Sequence, residues 1–167
     1  YNSMEDFVGR IDKEGAPLNI MTFIGQNYLR ELAGAGDRYA PSTRQQLEKM
    51  KSLLNEMKKY SPVGISCGFE YAPGVTTEET IELVRAMESD KYLVSVHFRQ
   101  DGPKAPESTR ELIEISKATG CAIEMSHIGS CSAVGYMDET LKIIEDAIVN
   151  GTDISVDCYP YNAFCTG

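Results

Sequence analysis

The sequence predicts an α/β fold built from parallel strands, and three observations carry that prediction. Five short β-rich runs occur, at residues 18–24 (LNIMTFI), 63–67 (VGISC), 92–98 (YLVSVHF), 121–127 (CAIEMSH) and 153–159 (DISVDCY). The last four begin about 30 residues apart, the length of one strand, one helix and two loops. The segments between them carry apolar residues at helical spacing. Such alternation implies parallel strands joined by right-handed crossovers. A doubly wound sheet and a β/α barrel both fit it, and the placement of the polar residues has to decide.

The helices follow in order. Met4–Glu14 is expected to be helical and to stop at Gly15. In 43–60, Leu47, Met50, Leu54 and Met57 recur at three- and four-residue steps and form one apolar face. Pro41, Ser42 and Thr43 ahead of it are a start signal. In 77–87, Glu78 and Glu79 occupy the first turn, where the helix dipole favours acids. Ile81 and Val84 supply its buried face. The helix at 108–119 carries Leu112 and Ile115 and ends at Gly120, a C-cap. The helix at 138–150 carries Leu141, Ile144 and Ile148 and ends at Gly151.

Composition narrows the function classes. A chain of 167 residues, 42% apolar and 25% charged, fits one globular domain. The net charge of −9 argues against nucleic-acid binding, which needs clustered Lys and Arg. Five Cys without a C-x-x-C pair suggest neither a disulfide framework nor a zinc knuckle. Reduced thiols point to a cytoplasmic location. No apolar run approaches the roughly 18 residues of a membrane span.

The two histidines, His97 and His127, are the most informative residues. Each falls at the carboxyl end of a predicted strand, on consecutive units. Neighbouring parallel strands lie about 4.8 Å apart, so inward-facing rings converge at one rim. Imidazole nitrogens sharing a tetrahedral zinc stand roughly 3.3 Å apart, which this arrangement allows. Catalytic residues of β/α barrels collect at that rim. The plainer alternative is a pair of polar strand caps, and a catalytic zinc needs about three protein ligands.

Other polar residues fall at the same level. Glu70 could ligate the metal or act as a base, or be a solvated loop acid. Asp157 is expected to anchor backbone or a His ring behind the ligands. Arg99 and Asp101 follow His97, and Tyr71, Tyr159 and Tyr161 lie beside these positions. Aromatic residues at a barrel mouth line pockets or fill cores. If His127 faces inward, strand alternation sends Glu124 to the helix layer, where an apolar residue is expected.

At these residues the sequence resembles the N-acyl-D-amino-acid deacylases, or D-aminoacylases, of the amidohydrolase superfamily. LNIMTFIGQNYLR at 18–30 is similar to the family's strand and G-H-G-x-L-R loop. VGISCGFEYAPG at 63–74 is similar to G-x-S-x-G-L-x-Y-x-P-G. VHFRQD at 96–101 and MSHIG at 125–129 resemble the H-M-R-D-E and I-S-H-x-K segments. DCYPYNAFCT at 157–166 resembles D-x-Y-P-Y-x-A-x-S-T. Each motif alone is weak, and five in order are specific.

The resemblance implies a partial TIM-like (β/α) barrel, the five strands being roughly strands three to seven, with residues 1–167 the central part of a catalytic domain. It implies one or two zinc ions, with His97 and His127 as ligands. The substrate would be a small N-acyl amino acid, contacted by Tyr71, Arg99, Tyr159 and Cys165, and the products a carboxylate and a D-amino acid. The family's H-x-H on strand one and its proton-handling Asp on strand eight are not among these residues. Little hydrolysis is therefore expected of the 167 residues alone. Self-association through exposed sheet edges is expected as well.

Three positions depart from the family pattern: Gly129 replaces a Lys, Gln26 a His and Cys165 a Ser. They leave open a dihydroorotase-like or dipeptidase-like amidohydrolase, and a non-catalytic α/β ligand-binding module.

Overall fold

The structure is a computed structural model that describes residues 3–88, 92–131 and 135–163, without the side chains of residues 130 and 131. Five strands form one parallel sheet: β1 (Phe23–Gly25), β2 (Gly64–Gly68), β3 (Leu93–His97), β4 (Ala122–Met125) and β5 (Ile154–Val156). Their spatial order is β1-β2-β3-β4-β5. A doubly wound sheet reverses its strand order at a switch point. Here every strand lies beside its predecessor, as in a β/α barrel, so the topology selects between the two α/β forms.

The two faces of the sheet differ in chemistry. Ile24, Ile65, Val94, Ile123 and Ile154 stand in register across all five strands. All five are buried beneath the helices. The next register row is Gly25, Ser66, Ser95, Glu124 and Ser155, on the opposite face because side chains alternate along a strand. The apolar row faces the helices, and the polar row lies on the face a closed barrel would enclose.

Glu124 therefore does not face the helix layer, contrary to the expectation from strand alternation. Its carboxylate accepts hydrogen bonds from Ser95 at 2.8 Å and Ser126 at 2.7 Å. The reason is that β4 ends at Met125 and His127 lies beyond it. Strand alternation does not apply across that break.

Local signals set the helices. Helix α1 (Met4–Glu14) starts at Ser3, whose side chain accepts from the Asp6 amide, and stops at Gly15 with φ 75°. Helix α2 (Gln26–Ala33) follows β1 without a connecting residue and ends at Gly34 in the left-handed region. Helix α3 (Arg44–Met57) opens on a reciprocal capping box between Thr43 and Gln46. It buries Leu47, Met50, Leu54 and Met57. Each fully buried side chain of this kind contributes about 1.5–3 kcal/mol.

Helix α4 (Thr77–Ala86) is capped by the Thr76 hydroxyl. Helix α5 (Ala105–Thr119) starts earlier than its apolar periodicity predicts, with Pro106 in its first turn, and ends at Gly120 with φ 73°. A short helix α6 (Ile128–Cys131) follows β4, and α7 (Met137–Val149) leads to β5.

Four of the five strands are shorter than the runs that predict them. Of residues 18–24 only the end pairs with β2, and Leu18, Ile20 and Met21 are 52–79% exposed. At the other edge Ile148, Val149 and Val156 are 39–85% exposed. Among the described residues no helix is long and apolar enough to cross a membrane.

Candidate active site

His97 is the last residue of β3, in register with Gly68 at the end of β2. It shares a sheet face with Ser95. His127 lies two residues past β4 and has φ 41°, in the left-handed region that a side chain with a Cβ rarely adopts. A non-glycine residue held there costs energy, and such residues gather at functional sites. The effect is to turn the His127 ring back over the carboxyl rim. His97 Nδ1 and His127 Nε2 meet at 2.8 Å, with ring centroids 4.6 Å apart and planes at 62°.

The surrounding residues fix this turn. Asp157, just past β5, accepts the backbone N–H of His127, and its own carbonyl accepts the Ile128 N–H at 3.0 Å. The Asp157 carboxylate thus holds backbone, not a ring nitrogen. On the far side of His97, Glu70 Oε2 is 2.5 Å from Nε2. The Tyr71 ring lies 4.7 Å from the His97 ring, tilted by 39°. Gly68 makes room for it, since a Cβ there would stand 2.9 Å from Tyr71 Cδ2.

The donor chemistry fits part of a metal's shell. Two imidazole nitrogens converge on one point, and opening them from 2.8 Å to about 3.3 Å would admit a tetrahedral ion. Among the described residues no group of three His, Cys, Asp or Glu forms a complete ligand set. Glu70 in particular does not join the point between the imidazoles, because it approaches His97 from the opposite ring nitrogen.

Arg99 is engaged with its own set of partners. The Arg99 guanidinium pairs with both oxygens of Glu111 at 2.9 and 2.7 Å. It also donates to the carbonyls of Pro73 and Val75 and stacks on Phe69, 4.9 Å from the ring centre. It ties the 69–75 loop to α5. Tyr159 is half-buried beyond β5. Cys165 lies outside the described residues.

Two of the three departures, Gln26 and Gly129, lie among the described residues. Gln26 is buried and donates to Glu79 at 3.0 Å and Thr80 at 3.2 Å, in a network with the buried Arg30–Glu79 ion pair at 2.5 Å. Gly129 packs against Cys158, whose Sγ would stand 2.7 Å from a Cβ at that position. Cys165 has no described setting. Burial pushes the Cys67 thiol well above the ordinary cysteine range and raises that of Cys121, which works against either acting as a nucleophile.

Known proteins resemble this chain along most of its length. An N-acyl-D-glutamate deacylase of Alcaligenes xylosoxydans xylosoxydans is 27% identical over 165 residues, covering 96% of this chain and 34% of the relative. A D-aminoacylase of the same organism is 28% identical over 170 residues, covering 99% and 35%. Among solved structures, the N-acyl-D-glutamate deacylase of Bordetella bronchiseptica, complexed with zinc and a phosphonate mimic of the tetrahedral intermediate, superposes with a TM-score of 0.79. It is 27% identical, and the match covers 92% of this chain and 33% of that one. No protein-family model matches the chain. The chain thus resembles the D-aminoacylase group of amidohydrolases and spans about a third of the length of the curated relatives it matches.

Proposed function

We propose that these residues form the central part of the catalytic domain of a metal-dependent hydrolase that cleaves the amide bond of N-acyl-D-amino acids. The observation that carries this reading is the 2.8 Å approach of His97 Nδ1 to His127 Nε2 at the carboxyl rim of a parallel sheet. The similarity to deacylases, one of them complexed with zinc, supports it.

In this reading His97 and His127 hold one zinc ion from adjacent strands, and further ligands come from strands outside these residues. Bound there, zinc supplies Lewis acidity to the amide carbonyl and acidifies water for attack. Asp157 keeps the His127 backbone in its left-handed turn and so keeps the ring aimed. The Tyr71 ring covers one side of His97 and narrows water access. Tyr159 and Cys165 are assigned to the substrate pocket by their motif positions alone. The proton-handling carboxylate also lies outside these residues, so the 167 residues alone are expected to be inactive. They are expected to associate through the exposed apolar edges beside β1 and β5, and a compact monomer in sedimentation would count against that.

The full-length protein tests the activity. Zinc-dependent release of a D-amino acid from N-acyl-D-amino acids, in preference to cyclic amides and dipeptides, is the expected result. Preference for a cyclic amide or a dipeptide would move the protein to another amidohydrolase activity. Hydrolysis of none of them would end the reading.

A further inference from the structure

The contact behind His97 has a chemical consequence. An ionised carboxylate can only accept hydrogen bonds, and a neutral imidazole carries one proton on one of its two nitrogens. Glu70 Oε2 stands 2.5 Å from Nε2 of His97. A neutral His97 ring that donates to Glu70 carries its proton on Nε2 and its lone pair on Nδ1, the atom that faces His127 at 2.8 Å.

The loop that carries Glu70 is built to hold it there. Phe69, the residue before it, is fully buried and donates its N–H to the His97 carbonyl at 3.0 Å. Ala72 is buried and closes the turn through N–H bonds to the carbonyls of Gly68 and Phe69. Arg99 clamps the far side of the loop through Pro73 and Val75. Glu70 thus projects from backbone fixed on both sides.

We propose that Glu70 is a positioning residue: it locks His97 in the Nε2–H tautomer, presents Nδ1 to the metal, and is not itself a ligand. The inference rests on the proposed role of the two imidazoles. Carboxylate partners of this kind orient metal-binding histidines and raise their basicity, and losing one costs about 10–100-fold in metal affinity.

The test uses full-length protein carrying Glu70→Ala, Glu70→Gln or His97→Ala. Zinc affinity is measured by competition with a chromophoric chelator, and the His97 tautomer by long-range 1H–15N correlation in the metal-free protein. Wild type should show Nε2–H. Glu70→Ala should mix the tautomers and weaken zinc about 10–100-fold. Glu70→Gln keeps a carbonyl acceptor and should restore most of both. An unchanged tautomer and affinity in Glu70→Ala would overturn the proposal. So would complete loss of binding, equal to His97→Ala, with one oxygen missing from the metal's X-ray absorption shell, which would make Glu70 a ligand. If wild type binds no zinc, the hydrolase reading falls, and the tautomer measurement still decides whether Glu70 sets His97.

Discussion

His127 reaches His97 because its backbone turns into the left-handed region just past β4, at φ 41°. A side chain with a Cβ costs roughly 1–2 kcal/mol there, and glycine escapes that cost. His127→Gly should therefore be more stable than His127→Ala by about 1 kcal/mol. In a regular strand the order would be reversed. Urea midpoints of the two variants check the prediction, and Ala proving the more stable would place His127 in ordinary extended backbone.

Arg30 and Glu79 form an ion pair with each side chain 3% exposed. Glu79 also accepts from Gln26 and Ser42, and Arg30 donates to the carbonyls of Asp37 and Ala40. Removing one partner leaves a buried charge uncompensated. Glu79→Ala and Arg30→Ala should each destabilise by about 3–5 kcal/mol, and the double change should cost much less than the sum. A double-mutant cycle in urea reads this directly, and additive losses would contradict the pairing.

Glu82 gives a pH dependence with a defined sign. Burial pushes its carboxyl up, but hydrogen bonds from Lys51 and Arg44 outweigh that and hold it below the ordinary glutamate value. A carboxyl depressed in the folded state stabilises above its unfolded value, and loses that contribution as pH falls through the folded value. Glu82→Gln should therefore lower stability near neutral pH by less than about 1 kcal/mol, the usual size for a partly exposed pair. The difference from wild type should shrink as pH falls below the ordinary glutamate value of about 4.3 and vanish only below the depressed folded value. Urea titrations at pH 7 and pH 3 compare the two, and a gap that widens in acid would reverse the sign.

Much of the fold could be read from residue patterns. The Gly15 stop ends α1, and the Pro41–Thr43 start signal with Leu47, Met50, Leu54 and Met57 marks α3. The convergence of the two imidazoles followed from their place at the ends of consecutive strands. Helix α2 has no start signal in the sequence because its N-cap is Gly25, which offers no capping side chain, and because it follows β1 directly. The left-handed turn at His127 has no composition signal, since glycine is the usual marker and none is present at 127. The Arg99–Glu111 pair and the Glu70–His97 contact span 12 and 27 residues. Both depend on how α5 and the 69–75 loop pack, which periodicity does not encode.

The central claim is that two imidazoles 30 residues apart share a metal. Zinc affinity of the full-length protein, measured beside His97→Ala and His127→Ala with folding monitored by circular dichroism, tests it most directly. Wild type should bind zinc, and each folded variant should lose at least about 100-fold in affinity, since a ligand is removed in each. Undiminished affinity in both variants would contradict the account.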